Sequence, residues 1–155
     1  GLVGAAYRIR TMYGEIICDG CHSTPAALNN YFMSKGPDYS IMISDALMAK
    51  GTPVGSKYIF GGNKIVIYPD GSAHLTSTGG LAGSTLNINK GLKILVEDAM
   101  VPFNYALNAC TINPARCLHL DDRKGSIQIG KDADLVVLDD NYDVLQTYCM
   151  GKAQL

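Results

Sequence analysis

Between Glu15 and Ile43 lie two short apolar runs, Glu15-Ile16-Ile17-Cys18 and Tyr39-Ser40-Ile41-Met42-Ile43, separated by one helical stretch from about Ala26 to Lys35. Thr24 can cap that helix with Pro25 at its first position, and Gly36-Pro37 ends it. A strand, a helix and a strand in that order form a βαβ unit whose strands run parallel. Units of this kind carry their reactive groups at the C-terminal ends of the strands. His22 and Asp45 each follow a strand end, so both are expected on one face.

Downstream the pattern changes. Tyr58-Ile59-Phe60, Lys64 to Tyr68 and Ala73 to Thr76 are short strand-like pieces broken by Gly61-Gly62-Asn63 and Pro69-Asp70-Gly71, which predicts hairpins. Helices are expected from about Thr85 to Met100, from about Pro102 to Cys110 and from Pro114 to Leu118. Gly125 to Asp139 reads as strand, turn, strand, and Val144 to Met150 as one more strand, together a small antiparallel element joined at a compact boundary near Lys124.

Composition narrows the function. With 155 residues, 47% apolar and 17% charged, the chain can bury a core. Its 13 basic and 14 acidic residues are scattered, which argues against nucleic acid and against an anionic membrane as partners. No apolar stretch approaches the ~18 to 20 residues of a membrane span. The start, Gly1-Leu2-Val3-Gly4-Ala5-Ala6, lacks the pattern of a signal peptide. A cytoplasmic location is therefore expected, although Gly1 is not an initiator Met. The five cysteines, Cys18, Cys21, Cys110, Cys117 and Cys149, are odd in number and read as free thiols rather than a secreted disulfide framework.

Four groups of residues could carry chemistry. Cys18-Asp19-Gly20-Cys21-His22 has the form of a c-type haem attachment string and contains the CxxC of a redox pair; a zinc site would need a second pair, which is missing. Asp45, emerging from a buried apolar strand, is either a turn or capping residue or a general base toward a bound water. His22, His74 and His119 each have the plain reading of a satisfied polar side chain. Gly79-Gly80-Leu81-Ala82-Gly83-Ser84, ahead of a helix, offers backbone N–H groups to an anion or to sugar hydroxyls.

Taken in order, Gly1 to Ala5, Asp19-Gly20-Cys21-His22, Ser44-Asp45-Ala46, Gly80 to Ser84, Asn113-Pro114-Ala115-Arg116 and Gly130-Lys131-Asp132-Ala133-Asp134-Leu135 resemble the N-acetylglucosamine-6-phosphate deacetylases, over essentially the whole chain. The last motif is shared by many amidohydrolases; the combination of Asp19-Gly20-x-His22, Ser44-Asp45-Ala46 and Leu81-Ala82-Gly83-Ser84 is much more specific. The resemblance implies an α/β fold: the C-terminal part of a (β/α)8 metal-dependent hydrolase barrel over 1–124, with its seventh and eighth strands at Glu15 to Cys18 and Tyr39 to Ile43, and the C-terminal strands of a small β-sandwich over 125–155. It implies that Asp45 is the catalytic aspartate, taking a proton from a metal-bound water and delivering it to the departing amine. His22 falls on a histidine that contacts the sugar phosphate, and Leu81, Ala82 and Gly83 on a loop that holds substrate largely through its backbone. Cys21 then occupies a variable position, and the haem-like string is an accident of that residue.

The same resemblance places the family's metal ligands, and an Arg that helps bind phosphate, upstream of Gly1. A divalent ion, zinc or iron, is expected in the whole enzyme and none bound by these 155 residues. A full barrel needs ~250 residues, so about half an enzyme is expected, with a small amino-sugar phosphate as substrate and a homo-oligomer as the assembled state. An amidohydrolase of the same scaffold acting on a different amide is the nearest alternative.

Overall fold

Thr24 and Pro25 start a helix where their chemistry predicts one. In the computed structural model, which describes residues 1–154, the Thr24 hydroxyl accepts from the Ala27 N–H at 3.3 Å and α2 runs Pro25–Lys35. It ends at Gly36, whose φ of 79° suits a residue without a side chain. Before it come α1 (Leu2–Arg8) and β1 (Gly14–Ile17); after it comes β2 (Ser40–Ile43). β1 and β2 pair in parallel, with Gly14 opposite Ser40 and Ile17 opposite Ile43, so the expected βαβ unit is present.

The core forms where the helices cover this pair. α2 buries Leu28, Tyr31, Phe32 and Lys35, a stripe at helical spacing. Leu28 and Phe32, fully buried, meet Cys18, Met42, Leu92, Leu95, Val101 and Ala106, and each contributes about 2 to 3 kcal/mol. α4 (Phe103–Cys110) packs on β2, and α5 (Ile112–Cys117) follows it directly. The buried Asn113 side chain donates to the Pro37 carbonyl at 2.8 Å and to the Ser40 carbonyl at 2.9 Å, fixing α5 to the start of β2. That gives the Asn113-Pro114-Ala115-Arg116 motif a structural reason.

The helix expected from about Thr85 starts later. α3 spans Ile88–Lys93 and widens into a π-type stretch, Ile94–Asp98. Thr85 and Leu86 are engaged elsewhere: the Thr85 hydroxyl donates to the Gly71 carbonyl and the Leu86 N–H to the Ser84 hydroxyl, which keeps this segment out of the helix.

β3 (Lys57–Phe60), β4 (Asn63–Ile67) and β5 (Ala73–Leu75) form the expected antiparallel meander. Its first turn, Gly61-Gly62, has φ of 55° and 80°, the two positive values of a tight hairpin.

At the C-terminal end the expectation is partly overturned. β6 (Leu135–Leu138) and β7 (Val144–Cys149) pair antiparallel, and β8 (Lys152–Gln154), not foreseen, adds to β7 through a Met150-Gly151 turn with φ of 49° and 76°. Gly125 to Ile129, expected as a strand, is not one. Alternating apolar side chains favour a strand only where a partner supplies hydrogen bonds, and among the described residues this segment has no strand partner; Ile127 stays 88% exposed. Gly130 to Leu135 is a charged junction, with Arg123 and Lys124 on Asp132 at 2.8 and 3.1 Å, Lys124 also on Asp134, and the Met150 N–H on Asp134 at 2.8 Å. Leu155, the last residue of the expected 125–155 unit, lies outside the described residues. No described helix is long and apolar enough to cross a membrane.

Candidate functional site

Because Ile17 and Ile43 are register partners in a parallel pair, the segments after β1 and β2 leave the sheet at the same edge. The first carries Asp19 and His22. Asp19 folds its own loop: one carboxylate oxygen accepts the backbone N–H groups of Cys21 and His22, both at 2.9 Å, and the other meets the His22 Nδ1 at 2.7 Å. Burial alone would raise the Asp19 carboxyl, but these hydrogen bonds from His22 and Cys21 outweigh it and hold it below the ordinary carboxylate value. With Nδ1 committed to Asp19, the Nε2 of His22 is the nitrogen left for a ligand.

Asp45 follows β2 with a φ of 48°, a left-handed conformation that Asp tolerates better than most residues, and its side chain is exposed. The Gly79 to Ser84 loop lies against it. The Ser84 N–H donates to the Asp45 carbonyl at 2.9 Å, the Leu47 N–H to the Ser84 carbonyl at 2.8 Å, and the buried Ser84 hydroxyl to the Ser44 carbonyl. On its other side the loop adds to β5: the Ala82 N–H donates to the Ala73 carbonyl at 2.9 Å, and the Leu75 N–H to the Gly80 carbonyl at 2.8 Å. Leu81, Ala82 and Gly83 thus bridge the hairpin and the Asp45 segment. Gly83 has a φ of 65°, and a Cβ there would sit 2.7 Å from the Leu47 side chain, so the close approach requires glycine.

The structure therefore joins the end of the Leu81 to Gly83 loop to the backbone of Asp45 through Ser84, with Leu81 and Ala82 held on the β5 side, and sets His22 on the neighbouring loop at the same end of the sheet. A cleft of about 230 Å³, lined by Asp19, Cys21, Asp70, Ser72 and Thr85 among others, opens between the His22 loop and the turn after β4. A larger groove of about 1320 Å³ runs between the α4–α5 region and the terminal sheet and includes none of these site residues. The arrangement offers a carboxylate for proton transfer, a backbone-lined loop and an oriented imidazole.

Sequence reasoning missed Asp19 as the residue that aims His22, and Ser84 as the lock on the loop. The Asp-Gly turn three residues before His22 was the available signal for the first; the partners of Ser84 are distant in sequence and left no local signal. The haem or redox reading fails on Cys18, which is fully buried with its thiol against the Ile16 carbonyl at 3.5 Å and its pKa pushed up by burial. All five cysteines are free. Among the described residues no group of three or more His, Cys, Asp or Glu side chains could hold a metal ion, so this donor set does not by itself fit one.

Known proteins match this chain along nearly its whole length. It is 38% identical over 152 residues to an N-acetylglucosamine-6-phosphate deacetylase of Bacillus subtilis, covering 98% of this chain and 38% of that protein. It is 34% identical over 152 residues to a putative N-acetylgalactosamine-6-phosphate deacetylase of Escherichia coli, covering 98% of this chain and 89% of that shorter protein. A crystal structure of an N-acetyl-D-glucosamine-6-phosphate deacetylase mutant from Mycobacterium smegmatis, in complex with N-acetyl-D-glucosamine-6-phosphate, superposes with a TM-score of 0.90 at 29% identity, covering 99% of this chain and 40% of that one. The chain thus spans about two fifths of the length of the Bacillus and Mycobacterium proteins. The family model described as the Amidohydrolase family matches residues 7–153, and with that match the chain belongs to the amidohydrolase family.

Proposed function

We propose that this chain is the C-terminal part of a deacetylase that hydrolyses the N-acetyl group of N-acetylglucosamine 6-phosphate to acetate and glucosamine 6-phosphate. Residues 1–124 would close a (β/α)8 barrel, with β1 and β2 as its last strands, and 125–155 would belong to a small β-sandwich. In this reading Asp45 accepts a proton as water attacks the acetamide carbonyl, and returns it to the sugar nitrogen as the C–N bond breaks. The Leu81 to Gly83 backbone holds the sugar, and His22, aimed by Asp19, donates from Nε2 to the phosphate. A divalent ion, zinc or iron, belongs to the proposal for the whole enzyme, with its ligands outside these residues; a homo-oligomer and a cytoplasmic location belong to it as well.

The observation that carries the reading is the Ser84 lock, which fastens the substrate loop to the backbone of Asp45. The test is Asp45→Asn in the full-length protein, assayed on N-acetylglucosamine 6-phosphate. A loss in kcat of about 10² or more, with metal content unchanged, is expected from removing a general acid and base. Turnover near wild type would remove Asp45 from the mechanism.

A second substrate is favoured by one finding: the Escherichia coli relative at 34% identity is named for the galactosamine epimer. Side-by-side kcat/KM values for the two N-acetylhexosamine 6-phosphates decide between them.

A further inference from the structure

His74 lies on β5, outside the residues assigned above, yet both of its ring nitrogens are engaged. Nδ1 lies 2.7 Å from the Gly79 carbonyl, which can only accept, so Nδ1 carries a proton. Nε2 lies 2.8 Å from the hydroxyl of Ser72; that hydroxyl donates its one proton to Asp70 Oδ1 at 2.5 Å, so toward the ring it is the acceptor of an Nε2–H. Asp70 also accepts the Ser72 N–H at 2.9 Å. Ser72 is 5% exposed. The ring of Tyr68 stacks on the imidazole with centroids 4.0 Å apart and an interplanar angle of 15°. Three contacts, from Gly79, Ser72 and Tyr68, leave the ring one orientation, and it delivers a hydrogen bond to the first residue of the Gly79 to Gly83 loop. The backbones of His74 and Leu81 also form an antiparallel bridge.

We propose that Asp70, Ser72 and His74 form a relay of positioning residues that holds the Gly79 to Gly83 loop in its substrate-binding shape. The proposal rests on the deacetylase reading for the identity of the substrate, and on the geometry alone for the hold on the loop. The relay works from the hairpin side, through Gly79, while Ser84 fixes the other end of the loop at Asp45; Leu81, Ala82 and Gly83 are stretched between two anchors. The carboxylate of Asp70 fixes the hydroxyl, the hydroxyl fixes the ring, and the ring fixes the loop.

The test uses His74→Leu and Ser72→Ala in the full-length protein, with two readouts: amide hydrogen exchange at Ala82 and Ser84, and steady-state kinetics on N-acetylglucosamine 6-phosphate. Exchange at both amides is expected to accelerate by about tenfold. KM is expected to rise by about tenfold while kcat stays within about twofold, since the loop binds the sugar and leaves the proton transfer alone. His74→Asn, whose amide N–H can stand where Nδ1–H stood but which cannot reach Ser72, should recover part of both, and adding Ser72→Ala to it should change neither further, which a residue that merely fills space would not do. Wild-type exchange in both His74→Leu and Ser72→Ala overturns the proposal, and so does loosened exchange with an unmoved KM. If the wild-type protein does not turn over the amino-sugar phosphate, the deacetylase reading fails by itself, and exchange alone decides whether the relay holds the loop.

Discussion

The N–H of Ser84 donates to the carbonyl of Asp45 at 2.9 Å, which places the loop ending in Gly83 within one residue of the backbone that presents the candidate general base. Gly83, the residue before Ser84, lies against the Leu47 side chain. Gly83→Ala adds left-handed strain, about 1 to 3 kcal/mol, to a clash with Leu47 at 2.7 Å. Gly79→Ala meets a similar φ of 72° with nothing within 4 Å of the new Cβ, so it isolates the strain. Gly83→Ala should lower the melting temperature more than Gly79→Ala does, and should also raise KM, since the loop binds the sugar. Equal losses in the two variants would mean that Leu47 moves aside freely.

Asp19 supplies a pH signature. Its carboxyl is held below the ordinary value in the folded chain, so its contribution to stability is full above the unfolded value of about 3.9 and is lost as pH falls through the lower folded value. Asp19→Asn should cost about 2 kcal/mol at neutral pH, the worth of a charge-assisted hydrogen bond. The gap from wild type should begin to close below about pH 4 and narrow further as pH falls through the folded value. Denaturant titrations at pH 7 and at pH 3 measure both. A gap of equal size at the two pH values would show that the Asn variant loses packing rather than charge.

How much of this could be read from the sequence depended on how local each determinant was. The βαβ unit rests on Thr24, Pro25 and Gly36, which act on their own neighbours, and the Gly61-Gly62 hairpin turn is likewise local. Asp45, Leu81, Ala82 and Gly83 were legible as motifs, but not as neighbours, because Ser84 reaches Ser44 across 40 positions. Gly125 to Ile129 went the other way: its alternation was visible, and strand formation required a partner outside the segment. The late start of α3 has the same origin, since the Thr85 hydroxyl is taken by the Gly71 carbonyl.

Asn113 is a second place where a motif residue acts through packing. It is fully buried and is the donor that satisfies the Ser40 carbonyl; the Pro37 carbonyl has a second donor in Asn108 at 3.3 Å. Asn113→Ala should therefore cost about 1 to 3 kcal/mol, the penalty of leaving one buried carbonyl unsatisfied, without changing KM in the full-length protein. A change in KM with unaltered stability would move Asn113 from scaffold to site.

Lys35 makes the last case, a buried cation paired with carbonyls instead of a carboxylate. The residue is 3% exposed, and Nζ donates to the carbonyls of Ala6 at 3.1 Å, Ile9 at 2.9 Å and Met12. These three carbonyls end α1 and the turn after it, so Lys35 serves as a C-terminal cap supplied from another helix. α1 has seven residues and none of them is buried, so it is too short to persist without tertiary support. Lys35→Met keeps the apolar stem and removes the three donors. The Ile9 amide, which donates to the Ala5 carbonyl at 2.8 Å, should then exchange faster by about tenfold, while amides in β1 and β2 change little. If the Ile9 amide keeps its protection, the edge contact between Tyr7 and Tyr31, with ring centroids 5.7 Å apart, is enough to hold α1, and the Lys35 cap is dispensable.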